Sequence, residues 1–535
     1  MRRQILAANR NFLAMLAIIT LVSGGLFFFV IKEARAHSSI EIGETTFVGT
    51  LFPDKSVAAF KGLQFAKPPI GDRRWQAAAP SELPRGLYNA TRFKPACYQG
   101  DHITNWYRQK IVSFGGDPLQ FLKPEVSEDC LYLNLWKPTN AGEQLPVIVF
   151  VHGGSNRGGW SYEPDYEGIE LATYGAIVVT IAYRLGVFGF FTHPDLSLSN
   201  FALTDIVAAL DWLQRHVAAF GGDPRNITLM GESSGGNNIL HLLSSPIAKN
   251  RFQRAIVQSA GWAVSGRTNR FKQLQLASEL TEELSPSVKG LSGLRAISAE
   301  EILKASEEVF ANHFFDVVVD GTTLVEPTGQ SMRYGRLGPV DLLIGSNLDE
   351  WRSYLPATAN IENTEDLRLS QPGWKKVQDH FASSDDPLGA LDQLVTASNY
   401  VCPSKAVADS LQQKRQKVWR YLFTKHRDGE VSYAEGAYHG AELPYVFNTH
   451  AKWLPTNVED RLLSKRMMSY WISFARNGDP NVEGEHVWPA HIAQIHTSRE
   501  LYRESEVLVL GSKLYASHHP SDPLCRVDGI APEFD

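Results

Sequence analysis

Short runs of consecutive apolar residues recur along the middle of the chain, at 147–151, 176–182, 227–230, 255–258, 342–344 and 418–423. Unbroken apolar runs of this length are typical of strands that are buried on both faces of a sheet. Apolar residues spaced three and four apart from Leu203 to Phe220 predict an amphipathic helix between two of these strands. The alternation of strands and helices indicates an α/β fold with a mostly parallel sheet covered by helices.

The segment that precedes this region has a different pattern. Residues 40–65 alternate between apolar and polar side chains on both sides of Pro53-Asp54-Lys55. This alternation predicts a small antiparallel strand pair joined by a turn. No repeat, low-complexity segment or Pro/Ser/Gly-rich linker divides the chain further on, so we expect residues 37–535 to form a single catalytic domain.

The N-terminal residues carry an export or membrane signal. Arginines at positions 2, 3 and 10 precede an apolar run over 12–31, which is long enough to span a bilayer. The run is followed by Ala34-Arg35-Ala36, a pattern typical of cleavage before His37, so residues 1–36 are either a cleaved signal peptide or a signal anchor. In both cases the arginines hold the N-terminus in the cytoplasm. We expect the rest of the chain to be secreted, periplasmic or lumenal, with membrane attachment through 12–31 if that segment is retained.

Composition narrows the classes of function. The chain of 535 residues is 43% hydrophobic and 21% charged, which is ordinary for a globular protein and excludes fibrous and wholly disordered classes. The net charge of −6 gives no basic surface for nucleic acid. The four cysteines are an even set that is typical of disulfides in an exported chain, with three possible pairings. No Cys/His cluster has zinc spacing, so a metal site is not expected.

The first chemical motif is the pentapeptide Gly231-Glu232-Ser233-Ser234-Gly235. A short apolar strand over 226–230 leads directly into it, and residues 235–240 continue as a plausible helix. Strand, sharp turn and helix are the arrangement of a nucleophile elbow, in which the serine hydroxyl projects into a cleft. The motif therefore predicts that Ser233 is a nucleophile.

To act as a nucleophile, a serine hydroxyl needs a base that takes its proton and an acid that orients the base. The reaction also needs hydrogen-bond donors for the developing oxyanion. His439 is the base candidate, because it lies in a loop beyond the strand at 418–423 and beside a glycine. Asp349 and Glu350 are both candidates for the acid, since they follow the apolar run at 342–344, and the residues alone leave both open. The other histidines in this half of the chain are His380, His426, His450, His486, His491, His496, His518 and His519.

Several further motifs occur in order from about residue 42 to residue 525. They are Phe60-Lys61-Gly62-Leu63-Gln64-Phe65-Ala66 with Pro68-Pro69 and Gly71, Glu128-Asp129-Cys130-Leu131-Tyr132-Leu133-Asn134, Tyr183-Arg184-Leu185-Gly186, Phe220-Gly221-Gly222-Asp223-Pro224, Gly345-Ser346-Asn347 with Asp349-Glu350, and His439-Gly440 with Glu442-Leu443. Together with the pentapeptide, this series resembles the type B carboxylesterase and cholinesterase family, whose members have the α/β-hydrolase fold.

The resemblance implies a role for each candidate. Ser233 matches the nucleophile, Glu350 the acid and His439 the base, while the oxyanion would be bound by the N–H groups of Gly154, Ser155 and Ser234. Cys97 with Cys130 matches the disulfide around the gorge loop of the family, and Cys402 with Cys525 resembles the C-terminal disulfide of cholinesterases.

The chain also departs from the family pattern. Ser155 and Asn156 replace a glycine and an aromatic residue in the oxyanion loop, Ser234 replaces an alanine, and Trp351 replaces a glycine. These changes bear on the shape of the acyl pocket more than on the reaction, because backbone amides survive most side-chain changes. Gln120 and Phe121 occupy the region in which cholinesterases have their choline-binding tryptophan, so cholinesterase activity is not implied.

The implied function is hydrolysis of small carboxylic esters through an acyl-enzyme, with no metal or organic cofactor. A non-catalytic adhesion ectodomain on the same fold is an alternative, although such proteins typically lose a triad residue and this chain keeps all three. A lipase or an amidase is the other alternative, since a triad does not by itself select esters over amides. The oligomeric state is not indicated by the sequence.

Overall fold

A mixed β-sheet forms the centre of the computed structural model, which describes residues 36–266, 269–284, 290–355, 386–493 and 505–526. The strands are β1 His37–Ile42, β2 Thr45–Phe52, β3 Val57–Gln64, β4 Gly86–Asn89, β5 Ala96–Cys97, β6 Val126–Ser127, β7 Tyr132–Pro138, β8 Leu145–Val151, β9 Ile177–Ile181, β10 Gly222–Glu232, β11 Arg254–Gln258, β12 Asp341–Asn347, β13 Val418–Phe423, β14 Glu506–Leu510 and β15 Leu514–His518. Within the described residues, 13 of them form the main sheet, and β5 pairs with β6 separately.

The order of strands in the main sheet is β1-β2-β3-β7-β9-β8-β10-β11-β12-β13-β14-β15, with β4 paired to β2. Every pairing from β9 to β14 is parallel, and this part contains all six strands expected from the apolar runs. The α/β expectation is therefore confirmed. The expected antiparallel strand pair is confirmed as β2 and β3, which are joined by a turn over residues 53–56, and residues 37–64 contain one further antiparallel strand. The extra strand is β1, which turns back at Gly43, where φ is 57°.

Helices cover both faces of the sheet. They are α1 His102–Ser113, α2 Ile169–Ala172, α3 Gly186–Gly189, α4 Phe201–His216, α5 Ser234–Ser244, α6 Arg270–Leu284, α7 Gly290–Ala296, α8 Ala299–Val309, α9 Thr328–Arg333, α10 Pro387–Thr396, α11 Cys402–Gln413, α12 Glu430–Glu435, α13 Leu443–Val446 and α14 Val458–Asn477. The amphipathic helix expected from Leu203 to Phe220 is α4, which continues as a 3-10 helix over Val217–Phe220.

Side chains from alternate positions of each central strand enter different core layers. In β8, Val147, Val149 and Val151 pack in the layer that contains α4 and α5. Ile148 and Phe150 pack in the opposite layer, which contains α14. Because successive side chains of a strand point to opposite faces, an unbroken apolar run is what a doubly covered strand requires. This packing fixes the carboxyl ends of the parallel strands, where the active sites of open α/β sheets lie.

Two disulfides join the four cysteines in the pairing that the resemblance implies. Cys97 bonds to Cys130 across 33 residues, and Cys402 bonds to Cys525 across 123 residues. The first encloses α1, and the second attaches the last described turn to the start of α11.

The described residues, from Ala36 onwards, form one compact unit. The apolar run at 12–31 and its cleavage pattern lie outside the described residues, as do His380 and His496. None of the helices in the described ranges is long and apolar enough to cross a membrane.

Candidate active site

Ser233 occupies the sharp turn between β10 and α5. Its backbone has φ 55° and ψ −127°, a strained conformation for a residue with a side chain. The N–H of Ser233 donates to the carbonyl of Gln258 at the end of the neighbouring strand β11, which holds the turn against the sheet. The strand, turn and helix around the pentapeptide are therefore those predicted from the sequence.

Glycine is required on the helix side of this turn. A Cβ atom on Gly235 would clash with the carbonyl oxygen of Val151, at the end of β8. A Cβ atom on Gly236 would lie 2.8 Å from the Cβ of Ala260. The missing side chains let α5 approach the sheet closely and aim its N-terminus at the cleft.

The hydroxyl of Ser233 faces His439, and His439 faces Glu350. The Nε2 atom of His439 lies 2.8 Å from Oγ of Ser233, and its Nδ1 atom lies 2.7 Å from Oε2 of Glu350. Glu350 is fully buried and also accepts a hydrogen bond from the N–H of Asn347 at 2.8 Å.

The neighbouring acid Asp349 does not contact His439. Its Oδ2 atom accepts from the N–H of Ala437 at 2.8 Å and lies 3.1 Å from Nε2 of His426. The structure thus brings together Ser233, His439 and Glu350, and Asp349 supports the loop that carries His439.

Two further buried acids surround His439. Oε1 of Glu232 lies 3.2 Å from its Nε2 atom. Glu442 accepts from Gln258 at 3.0 Å and from Asn347 at 2.6 Å, and burial raises its pKa. Burial alone would lower the pKa of His439, but Glu232, the hydrogen bond with Glu350 and the charge of Glu442 outweigh it and raise that pKa to about 9.

The loop after β8 contains the expected oxyanion donors. Gly154, Ser155 and Asn156 all have positive φ, at 106°, 58° and 56°. The N–H groups of Gly154 and Ser155 donate to no backbone acceptor within the described residues. The N–H of Ser234 is at the first position of α5, where a helix leaves its amides without intrahelical partners. All three residues line the cavity that contains Ser233.

The cavity above Ser233 has a volume of about 310 Å³. Its aromatic lining consists of Trp106, Tyr107, Tyr166, Trp262, Phe314, Phe315, Trp351, Tyr354 and Tyr400. Two of these side chains come from α1, inside the loop closed by Cys97 and Cys130. Trp351 is fixed in the wall because its N–H donates to Asp392 and its Nε1 donates to Tyr400, both at 2.7 Å. This aromatic part of the wall favours uncharged organic groups.

The remaining described histidines downstream of Glu350 do not line this cavity. His450 contacts Ser464 at 2.7 Å, and His491 contacts Asp409 at 2.7 Å and Ser505 at 2.8 Å. His486 accepts from the N–H of Ala516 at 3.1 Å. In the described part of the chain, no three His, Cys, Asp or Glu side chains are grouped as metal ligands.

Sequence reasoning missed the acidic character of this cavity. Glu232 lines it, and so do Glu163, Asp165 and Asp316, each no more than 6% exposed. Burial raises the pKa of Glu163 to about 8 and that of Asp165 to about 6, despite hydrogen bonds that oppose the shift. For Glu232, adjacency to Ser233 was a usable signal. No motif recognised in the sequence includes the other three, of which Asp165 lies in a short 3-10 helix over Pro164–Tyr166.

The sheet, the elbow at Ser233 and the contacts of His439 define an α/β-hydrolase. The family model described as "Carboxylesterase family" matches residues 44–508. The chain belongs to this family and is a serine carboxylic ester hydrolase.

Individual relatives agree with this membership. The chain is 32% identical over 478 residues to para-nitrobenzyl esterase of Bacillus subtilis (strain 168), covering 85% of this chain and 93% of the relative. It is 30% identical over 492 residues to fumonisin B1 esterase of Sphingopyxis macrogoltabida, covering 86% of this chain and 84% of the relative. A solved structure of PNB esterase aligns with a TM-score of 0.77 at 30% identity, covering 91% of this chain and 98% of that one.

Proposed function

We propose that Ser233, His439 and Glu350 form the catalytic triad of this esterase. Oγ of Ser233 attacks the ester carbonyl while Nε2 of His439 takes its proton, and Glu350 holds the imidazole through Nδ1. Collapse of the tetrahedral intermediate expels the alcohol, which receives the proton from His439, and leaves an acyl group on Ser233. Water activated by the same histidine then releases the acid and restores the serine.

The N–H groups of Gly154, Ser155 and Ser234 would bind the oxyanion of each tetrahedral intermediate. Donors that are fixed before the reaction stabilise charge without reorganising during it. The positive φ values of the loop and the start of α5 support this assignment, because they leave these amides beside Ser233 in the cavity. No step of this mechanism requires a metal or an organic cofactor.

The observation that carries the proposal is the chain of contacts from Ser233 through His439 to Glu350, at 2.8 Å and 2.7 Å. Its test is hydrolysis of a short-chain chromogenic ester by the Ser233→Ala variant. The variant is expected to fold normally and to lose turnover, as shown by unchanged circular dichroism and melting temperature beside an absent ester signal. Wild-type turnover by a folded variant would contradict the proposal.

We further propose that residues 37–535 are the catalytic domain and that residues 1–36 export it. The two disulfides support an oxidising compartment, because such bonds rarely persist in the cytosol. N-terminal sequencing of protein from its native host distinguishes cleavage after Ala36 from a retained anchor. An intact N-terminus in a cytosolic fraction, with all four thiols free, would contradict export.

A further inference from the structure

The oxyanion loop has an unusual backbone for its sequence. Three consecutive residues have positive φ, and two of them, Ser155 and Asn156, carry side chains. Serine rarely adopts this region, and asparagine does so only somewhat more readily than most residues. Contacts from the surrounding structure must therefore hold the loop in this conformation.

Asn156 supplies those contacts. Its N–H donates to Oγ of Ser234 at 3.1 Å, and its carbonyl accepts from the N–H of Gly186 at 2.7 Å. Its Oδ1 atom accepts from Nδ2 of Asn238 at 2.8 Å, and its Nδ2 atom donates to the carbonyl of Phe315 at 3.1 Å. The residue is only 2% exposed, so these hydrogen bonds are largely shielded from water.

Three of the four contacts reach two parts of the site, the helix α5 and the cavity wall. Ser234 and Asn238 lie on α5, the helix that begins directly after Ser233. Phe315 lies in the wall of the cavity. Asn156 therefore connects the loop to the helix of the elbow and to a wall that would contact the substrate.

We infer that Asn156 is a positioning residue, which holds the N–H groups of Gly154 and Ser155 towards the oxyanion and keeps them in register with the N–H of Ser234. The inference rests on the proposed function, since it concerns the donors of that reaction. Asn156 acts through the loop backbone rather than by contact with the reacting atoms.

Two of the departures from the family, Asn156 and Ser234, have a common physical cause. The hydrogen bond from the N–H of Asn156 needs the hydroxyl of Ser234, which the usual alanine lacks. The amide of Asn156 fills the place of an aromatic side chain and is satisfied on both sides. Asn156 and Ser234 thus act together, because hydrogen bonds through their side chains fix a loop that glycine usually leaves free to bend.

The test compares Asn156→Ala, Asn156→Gly and Ser234→Ala with the wild type on one chromogenic ester and with a trifluoromethyl ketone. The ketone adds Oγ of Ser233 to its carbonyl carbon, its oxygen becomes an oxyanion, and the serine proton passes to His439. Its inhibition constant therefore reports oxyanion binding. Rates are divided by the concentration of active sites obtained by titration, so that misfolded protein does not contribute.

Both Asn156 variants are expected to lower kcat about 10- to 100-fold, below the loss caused by removing one donor outright. The KM should stay within about threefold, while the inhibition constant of the ketone rises by the same factor as kcat/KM falls. Ser234→Ala keeps the backbone donor and loses one hydrogen bond, so its kcat should fall about two- to tenfold.

Asn481→Ala is the matched control. This asparagine forms two hydrogen bonds with the backbone of Trp488 and does not line the cavity. It should lower the melting temperature without changing kcat.

Three results would overturn the inference. They are full kcat in Asn156→Gly, a loss of kcat with an unchanged inhibition constant for the ketone, and an equal loss of kcat per titrated site in Asn481→Ala. A failure of the proposed function is recognised separately, because the wild type would then neither hydrolyse the ester nor be trapped by the ketone on Ser233.

Discussion

Oε1 of Glu232 lies 3.2 Å from Nε2 of His439, the same nitrogen that faces the hydroxyl of Ser233. The acid next to the serine in sequence is thus also beside the base in space. Burial raises the pKa of the Glu232 carboxyl, and in its ionised form this group favours the imidazolium, which forms when His439 takes the proton of Ser233.

This contact predicts a change in pH dependence. His439 acts as a base only when it is neutral, so activity is lost as the pH falls through its pKa, which Glu232 and Glu350 help to raise to about 9. Glu232→Gln removes one of these carboxylates and should move the acidic limb of the kcat/KM profile to lower pH. Glu163→Gln, also in the cavity wall but without contact to His439, is the control. An unchanged limb in Glu232→Gln would contradict the prediction.

The two adjacent acids should differ sharply in their effect on rate. Glu350→Gln leaves the imidazole without its negative partner at Nδ1, and the loss in kcat should approach about 10⁴-fold. Asp349→Asn removes a charge that contacts His426 and the Ala437 amide, so its kcat should fall by less than about tenfold. Steady-state kinetics of both variants on one ester decides between them, and the reverse order would refute the assignment.

Ser155 offers a test of the oxyanion loop that does not involve Asn156. Because its φ is 58°, Ser155→Gly relieves backbone strain, and the rate should change by less than about tenfold. Ser155→Pro removes the N–H and cannot adopt this φ, so its rate should fall at least about 10²- to 10³-fold. A glycine variant as inactive as the proline variant would show that the hydroxyl is the functional group. A fully active proline variant would mean that another segment binds the oxyanion.

The two disulfides should contribute unequally to stability and function. A chain-entropy estimate gives about 4 kcal/mol for the 33-residue separation and about 5 kcal/mol for the 123-residue separation. Replacing Cys97 and Cys130 by serine should also raise KM, since the loop they close holds Trp106 and Tyr107 in the cavity wall. Replacing Cys402 and Cys525 should lower the melting temperature with a smaller change in KM. Thermal denaturation and steady-state kinetics of the two double variants check both statements.

The sequence predicts the parts of this fold that depend on local pattern. The periodicity from Leu203 to Phe220 gives α4, and the pentapeptide between a strand and a helix gives the elbow. The sequence pattern does not reveal β1 as a separate strand, because only Gly43 and Glu44 lie between β1 and β2.

Long-range packing decides what the local pattern leaves open. Asp349 and Glu350 are adjacent and both follow β12, so only the packed loop shows which carboxylate reaches His439. Asp165, in a 3-10 helix, and Asp316, in a loop, both line the cavity, and their positions depend on contacts with distant segments. The resemblance to the family selects Glu350 as the acid of the triad. It does not predict that Asp165 and Asp316 line the cavity, because neither residue belongs to a motif of the family.

Trapping the acyl-enzyme would show directly whether Ser233 is the nucleophile. Wild-type protein reacting with p-nitrophenyl acetate is quenched in acid during the first turnover, digested with a protease, and its peptides are examined by mass spectrometry. One acetyl group is expected, located on Ser233 and absent from the Ser233→Ala variant. An acetyl group that maps to another residue in actively turning-over enzyme would contradict this role of Ser233.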